Sequence, residues 1–180
     1  GLGNQMFQYA IAKAFSLETK RPFRLDNSIF ESYKLHNFGL HHFNIQSNFY
    51  LPESKWKRKL KKIFNKVVFY NEDHHAFNFN PNLIQTKSDI LFLEGYYQTQ
   101  KYFLKYEKEI RTDFEIVSPL KQQTIETVAY MQSVNSVSIH FRRGDYIGNP
   151  VHETDNTTYY KDAIQLIESK IEHPVYFLFS

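Results

Sequence analysis

Residues 1–19 read GLGNQMFQYAIAKAFSLET, two glycines followed by apolar residues at helical spacing. From Asn4 to Thr19 these apolar residues recur at intervals of three and four, which predicts an amphipathic helix entered through a glycine turn. Such a turn normally follows a β-strand. We therefore expect the chain to be a piece of a longer protein, in which a first strand precedes Gly1.

The rest of the chain alternates short apolar runs with amphipathic segments. The patterns predict strands over 22–26, 90–97, 137–141 and 175–179, and helices over 102–110, 119–131 and about 157–171. Pro119 is expected in the first turn of its helix, where a missing N–H does no harm. Residues 27–54 show no steady period and are predicted as loops with short turns. Strands that alternate with helices predict parallel sheets.

Composition indicates a folded, soluble protein. Hydrophobic residues make up 42% of the 180 residues and aromatic residues 17%, so a core can form. The chain has no cysteine, which excludes disulfides, thiolate metal sites and a cysteine nucleophile. No apolar run approaches the ~18 residues of a membrane span and no signal peptide is recognised. We expect a cytoplasmic location.

The basic residues are concentrated in one segment. Seven of the 22 lysines and arginines lie between Lys55 and Lys66 without an acid, leaving 15 basic residues against 19 acids elsewhere. Nucleic acid is therefore not an expected partner. Trp56, Leu60, Ile63, Phe64 and Val67 share one face of a predicted helix whose other face is basic. That face is either simply solvated or a peripheral contact with an anionic membrane.

Two segments suit a ligand at the carboxyl ends of strands, where open α/β sheets bind ligands. The first is the glycine turn: Gly3 permits close approach of the backbone, and the amides of Asn4 and Gln5 both donate and accept hydrogen bonds. Such a group suits a sugar or a phosphate. The alternative is a turn that only connects a strand to a helix.

The second segment, residues 140–146, reads HFRRGDY and leaves the end of a predicted strand. Consecutive residues of an extended chain point to opposite sides, so one arginine can face a ligand while the other pairs with Asp145. A guanidinium binds a pyrophosphate bidentately and stabilises a departing phosphate without a metal. The alternative is a structural ion pair between an arginine and Asp145.

A metal site is not expected. His41-His42 and His74-His75 are adjacent pairs, and a loop or strand directs adjacent side chains apart. No third ligand stands three or four residues away in a helical pattern.

The segments together resemble a known family. GLGNQMFQYAIAKA (1–14), LEGYYQTQKYF (93–103) and SIHFRRGDY (138–146), followed by TTYYKDAI (157–164) and VYFLFS (175–180), closely resemble the α-1,2-fucosyltransferases of glycosyltransferase family 11. Residues 27–88 match only loosely. His152-Glu153 stands where bacterial members commonly have a His-Gly pair.

The resemblance implies an α/β, GT-B-like fold of two Rossmann-like domains. These would be residues 1–118, without their first strand and with a basic helical insertion at about 55–66, and residues 119–180, the truncated beginning of the domain that binds GDP-fucose. It also implies inverting transfer of L-fucose from GDP-β-L-fucose to the 2-hydroxyl of a terminal galactose. Metal and other cofactors are not implied, and the acceptor would be a galactose-terminated bacterial surface glycan, made at the inner membrane.

The resemblance also assigns roles to residues. Arg142 would contact the donor diphosphate, Arg143 and Asp145 would shape the loop, and His140 would support its base. Tyr96 and Gln98 match the middle motif. The expected catalytic residues are Arg142, Asp145 and His140, and the expected donor-binding residues are Arg142, Arg143, Gly3, Asn4 and Gln5. Asp145, His152, Glu153 and Asp155 are candidates for a general base.

Two alternatives stay open. One is a fucosyltransferase of another class, α-1,6 or peptide O-fucosyl, because similar arginine loops occur there. The other is a non-enzymatic basic module that binds RNA or lipid through the lysine-rich helix. If the chain is a truncated transferase, residues 1–180 alone should have little or no activity.

Overall fold

The computed structural model describes residues 1–32, 36–45, 48–50, 66–72, 78–141 and 157–180. The chain forms two compact units, Gly1–Ser118 and Pro119–Ser180. Each unit mixes helices with two-stranded sheets, and every described strand pair is parallel. The predicted α/β class and parallel pairing are thus confirmed. The assembly of two Rossmann-like domains into a GT-B fold stays a prediction.

Unit 1, residues 1–118, begins with the helix that the sequence predicts. Its elements in chain order are α1 (Leu2–Thr19), β1 (Arg24–Leu25), β2 (Asn48–Phe49), β3 (Val67–Asn71), β4 (Ile90–Glu94) and α2 (Glu107–Asp113). Strand β1 pairs with β2, and β3 with β4. Short 3₁₀ turns at Ser28–Glu31, Leu40–His42, Leu83–Gln85, Gln100–Tyr102 and Leu104–Tyr106 connect them.

Helix α1 buries one face and anchors the core of unit 1. Ile11 packs with Leu83, Tyr97 and Tyr102, which lie on the segments flanking β4. The Tyr97 and Tyr102 rings meet edge to face at 5.7 Å, a favourable arrangement for aromatic pairs. The residues after β4 are therefore held by the same core as the helix.

A second contact fixes α1 against α2. The Tyr9 hydroxyl donates to Asp113 Oδ2 at 2.7 Å, and Lys13 Nζ lies 2.7 Å from the same oxygen. Burial, and then the neighbouring Asp113 carboxylate, raise the pKa of Tyr9 well above its usual value. Tyr9 therefore stays a protonated donor at neutral pH.

A groove of about 770 Å³ runs between α1 and the edges of β1 and β4. Residues 21–26 and 90–93 line it consecutively, so each segment presents its backbone edge and not a single face. At one end the Arg21 guanidinium donates to the carbonyls of Ser88 and Asp89.

The structure corrects several details of unit 1. The helix predicted over 102–110 is two 3₁₀ turns followed by α2 from Glu107, and the strand predicted over 90–97 ends at Glu94. Val67 was expected on the basic helix, but it begins β3, because the run of valine and aromatic residues from Val67 to Tyr70 favours a strand. Strand β2 lies in a region predicted as loops. The rest of the expected basic helix, residues 55–65, lies outside the described residues.

Unit 2, residues 119–180, contains α3 (Gln122–Ser133), β5 (Ser136–His140), α4 (Thr157–Glu168) and β6 (Val175–Phe179). Strands β5 and β6 pair in register from Ser136 with Val175 to His140 with Phe179, so both predicted strands are confirmed. Helix α3 begins at Gln122 and not at Pro119, because Lys121 is still extended at its N-cap. The Tyr130 ring lies 5.8 Å from that of Phe177, packing α3 on the sheet.

We predict that Asp113→Ala lowers the free energy of unfolding by about 1–3 kcal/mol, because it leaves the Tyr9 hydroxyl without its acceptor. Asp113→Asn retains an acceptor oxygen and should lose less. Urea denaturation of the full-length protein measures both changes. Equal losses for the two variants would show that the hydrogen bond to Tyr9 contributes little.

Candidate functional site

The beginning of α1 and the turn after β4 meet in unit 1. Gln98 Nε2 donates to Asn4 Oδ1 at 2.7 Å, and Gln8 Nε2 donates to the Gly95 carbonyl at 2.7 Å. Asn4 and Gln98 are 94 positions apart in the sequence. We call Asn4, Gln8, Gly95, Tyr96 and Gln98 the turn cluster. It combines residues from the glycine turn with residues from the middle motif.

Gln5 has a different position from its neighbour Asn4. Its side chain is buried, with Oε1 accepting from the Gly39 N–H at 2.9 Å and Nε2 donating to the Asn37 carbonyl at 3.0 Å. Both ends of the amide are thus used within the protein. Gln5 holds residues 37–39 against α1, whereas Asn4 is only partly buried.

Glu72, immediately after β3, sets the shape of the turn. It is only 5% exposed, and its Oε2 accepts from the backbone N–H groups of Tyr96 at 2.7 Å and Tyr97 at 2.8 Å. Gly95 has a φ of +153°, and a Cβ there would lie 2.4 Å from the Glu72 Cβ. A glycine is therefore required at position 95 for both conformation and space.

Tyr97 completes the turn from inside the core. It adopts a φ of 52°, which is uncommon for a residue other than glycine. Its hydroxyl donates to the carbonyls of Tyr70 and Glu94, each at 3.2 Å. Burial and the neighbouring Glu72 carboxylate raise the pKa of Tyr97 well above its usual value, which keeps the hydroxyl a donor.

Sequence reasoning missed Glu72 and Gln8. The available signal for Glu72 was an acid two positions after a run of β-branched and aromatic residues, at the carboxyl end of a strand. For Gln8 the sequence carried none beyond its place on α1. Neither residue could be paired with Gly95 or Tyr96 from spacing, because these contacts join distant parts of the chain.

In unit 2 the structure describes the end of β5, after which the sequence continues into Arg142 and Arg143. His140 is the last residue of β5, and its carbonyl accepts from the Tyr160 hydroxyl at 2.8 Å. The Phe141 and Tyr160 rings are 4.6 Å apart. Strands β5 and β6 end at the same sheet edge, because they are parallel and in register. This carboxyl edge is where α/β sheets bind ligands.

Several predicted residues lie outside the described part of the chain. These are Arg142, Arg143, Asp145, His152, Glu153 and Asp155. Their roles stay predictions from the sequence. His140 and Phe141 show where their segment departs from β5.

Within the described ranges no group of three or more His, Cys, Asp or Glu side chains could hold a metal ion. The His41 and His42 rings pack against each other at 4.0 Å, and His42 Nδ1 lies 2.8 Å from Ser118 Oγ. The pair His74-His75 is among the residues left undescribed. Among described helices, none has the length and apolar character to cross a membrane.

The exposed side of the turn cluster suits a ligand rich in hydroxyl groups. Asn4 and Gln98 order each other through their hydrogen bond, and each amide retains further donor or acceptor capacity. The Tyr96 side chain is 40% exposed and adds an aromatic surface. A few convergent polar groups beside an aromatic ring are typical of small-molecule sites.

Comparison with known proteins gives one family. The family model described as glycosyl transferase family 11 matches residues 1–180. Over 192 residues the chain is 29% identical to an alpha-1,2-colitosyltransferase of Escherichia coli, covering all of this chain and 66% of that protein. Over 211 residues it is 28% identical to the O-antigen biosynthesis glycosyltransferase WbnK of Escherichia coli, covering all of this chain and 70% of that protein. No solved structure matches.

We predict that Gly95→Ala destabilises the protein by at least about 1–3 kcal/mol, because alanine is strained at this φ and its Cβ would overlap Glu72. Gly3→Ala is the matched control, since no atom lies within 4 Å of a Cβ at that position. The control should keep or raise stability in urea denaturation. An equally stable Gly95→Ala variant would contradict the described turn.

Proposed function

Because the chain belongs to glycosyltransferase family 11, we propose that the protein transfers L-fucose from GDP-β-L-fucose to the 2-hydroxyl of a terminal galactose. The product would be an α-1,2-linked fucoside, formed with inversion and without a metal ion. The motif set GLGNQ, GYYQ and HFRRGDY supports this choice of donor and acceptor. In bacteria, a surface polysaccharide or lipid-linked oligosaccharide is the acceptor that we expect.

One structural observation supports the proposal most directly: the hydrogen bond between Asn4 and Gln98. It brings two of the three motifs together in unit 1, at the carboxyl end of β4. The amides of Asn4 and Gln98 and the Tyr96 ring match the hydroxyl groups and apolar face of a sugar. The third motif leaves the carboxyl end of β5, where α/β sheets bind ligands.

The proposed reaction is a single displacement at the anomeric carbon of fucose. The oxygen of the galactose 2-hydroxyl forms the new bond on one face while the bond to the GDP oxygen breaks on the other. The electron pair of the breaking bond leaves with GDP. The hydroxyl proton passes to a base, for which Asp145, His152, Glu153 and Asp155 are the candidates in the sequence.

Arg142 is assigned to the departing diphosphate. Negative charge grows on GDP as the bond breaks, so a fixed guanidinium stabilises the transition state more than the ground state. Its planar fork can bind two phosphate oxygens through two parallel N–H groups, a fixed geometry that the ammonium of a lysine lacks. Arg143 and Asp145 then shape the loop, and His140 supports its base at the end of β5.

A colitosyl donor is the second candidate. The observation that favours it is the 29% identity to an alpha-1,2-colitosyltransferase. Colitose is L-fucose without its 3-hydroxyl, so the two donors differ by one hydrogen-bonding group. A site that pairs this hydroxyl discriminates strongly against the deoxy sugar, because buried polar groups would be left unpaired. Transfer rates with the two donors therefore distinguish the candidates.

A non-enzymatic basic module receives no support from the family assignment.

The proposed location is the cytoplasmic side of the inner membrane, with a peripheral contact through residues 55–66. The lysines of that segment would be attracted by anionic lipid.

We predict that Arg142→Ala weakens metal-free binding of GDP to the full-length protein by at least about tenfold, because it removes a bidentate charged contact. Arg142→Lys should recover only part of the loss. Calorimetric titration in the presence of a chelator measures the affinities.

Arg111→Ala is the matched control for this experiment. Arg111 is an exposed arginine on α2 that pairs with Glu107, so its loss should leave GDP binding unchanged. A parent that is folded but binds no GDP would contradict the proposed donor, as would an Arg142→Ala variant with unaltered affinity.

A further inference from the structure

We infer that Glu72 is the positioning residue for the acceptor: its carboxylate fixes the turn after β4 and makes the turn cluster a site for a neutral, hydroxyl-rich sugar and not for a phosphate. This inference rests on the proposed function, since it identifies which of the two substrates the turn cluster binds. It gives Asn4 a place on the acceptor side, whereas the family resemblance placed it with the donor.

The backbone N–H groups of the turn form an anion site that Glu72 already occupies. Two consecutive N–H groups that converge on one point form a concavity that proteins use to bind anions. Here the N–H groups of Tyr96 and Tyr97 converge on Glu72 Oε2, at 2.7 and 2.8 Å. The anion site is thus already filled by a tethered carboxylate, and a phosphate would have to displace it.

Glu72 also brings a negative charge to the turn. In the ranges that the structure describes, Glu72 pairs with backbone N–H groups and makes no ion pair with a lysine or arginine. The residue is 5% exposed, so water screens its carboxylate little. A diphosphate beside this turn would meet a like charge. A neutral sugar would not.

The turn cluster still offers hydrogen-bonding groups to a ligand. The bond from Gln98 Nε2 to Asn4 Oδ1 uses one donor and one acceptor. The Asn4 amide nitrogen and the Gln98 carbonyl oxygen remain for a ligand. A sugar hydroxyl both donates and accepts, so it can bind to such a pair. A fully ionised phosphate accepts only.

Glu72 also affects the position of the Gln98 amide, because it holds the turn that precedes Gln98. Tyr97 is 1% exposed and has a φ of 52°, two residues after Gly95 with its φ of +153°. Without the carboxylate, two N–H groups at a strained turn lose their acceptor. Gln98 directly follows this turn, so its position against Asn4 depends on Glu72. Glu72 itself need not touch the sugar.

The test is a pair of calorimetric titrations on the full-length protein, one with lactose as the galactose-terminated probe and one with GDP. Glu72→Ala should weaken lactose binding by about tenfold or more and change GDP binding by less than about twofold. Glu72→Gln keeps an oxygen of the same reach and should stay within about threefold of the parent for lactose. This rescue separates an acceptor for N–H groups from a mere loss of packing.

Two further variants keep the result decisive if Glu72→Ala fails to fold. Gln98→Ala removes an exposed side chain and should reproduce the loss of lactose affinity with GDP binding intact. Glu115→Ala, an exposed acid in the same unit, should change neither affinity.

The outcomes distinguish this inference from the proposed function. Weaker GDP binding with unchanged lactose binding in Glu72→Ala or Gln98→Ala overturns the inference. So does a parent that binds GDP but no lactose, although nucleotide-sugar transfer then still stands. A folded parent that binds neither probe overturns the proposed function together with the inference.

Discussion

The buried carboxylate of Glu72 is the constraint on which the described site depends. One oxygen accepts two consecutive backbone N–H groups of a turn that includes a glycine at positive φ and a tyrosine in a left-handed conformation. Tyr97 keeps this uncommon conformation because the carboxylate and the surrounding core hold it there, whereas glycine adopts a positive φ without strain. Tyr97 belongs to the core that includes Ile11 of α1. The helix, the turn and the end of β3 are therefore one rigid support for Asn4 and Gln98.

This support explains how two distant sequence motifs can act together. Amide side chains at the surface are normally free to adopt several rotamers, and ordering them upon binding costs free energy. Here Asn4 and Gln98 hold each other before a ligand arrives, while Gln8 fixes the Gly95 carbonyl. In unit 2 the end of β5 is held separately, by the hydrogen bond from the Tyr160 hydroxyl on α4 to the His140 carbonyl. A transferase requires both kinds of preorganisation, because it must orient an acceptor hydroxyl and stabilise a departing phosphate.

Local sequence patterns predicted much of the fold, but not the contacts that form the site. The predictions of α1 and β5 agree with the structure because their apolar residues recur at the period of a helix and of a strand, and that of β6 because it is a short apolar run after Pro174. The prediction for Val67 was wrong because this residue also continues the helical pattern of the basic segment. The prediction for Pro119 was wrong because a proline near a helix need not occupy its first position. The Glu72 contacts were beyond reach, since a buried acid joining β3 to the turn after β4 depends on tertiary structure. Family motifs selected Asn4 and Gln98, whereas spacing alone could not show that they touch.

The most direct test of the proposed activity is the structure of the product. The full-length protein should be incubated with lactose and either GDP-β-L-fucose or GDP-colitose, with a chelator present, and the product examined by NMR. The account predicts an α-linked sugar on the 2-hydroxyl of galactose, and the preferred donor distinguishes fucosyl from colitosyl transfer. A β linkage, attachment to another hydroxyl, or no transfer from either donor by a folded protein would contradict it.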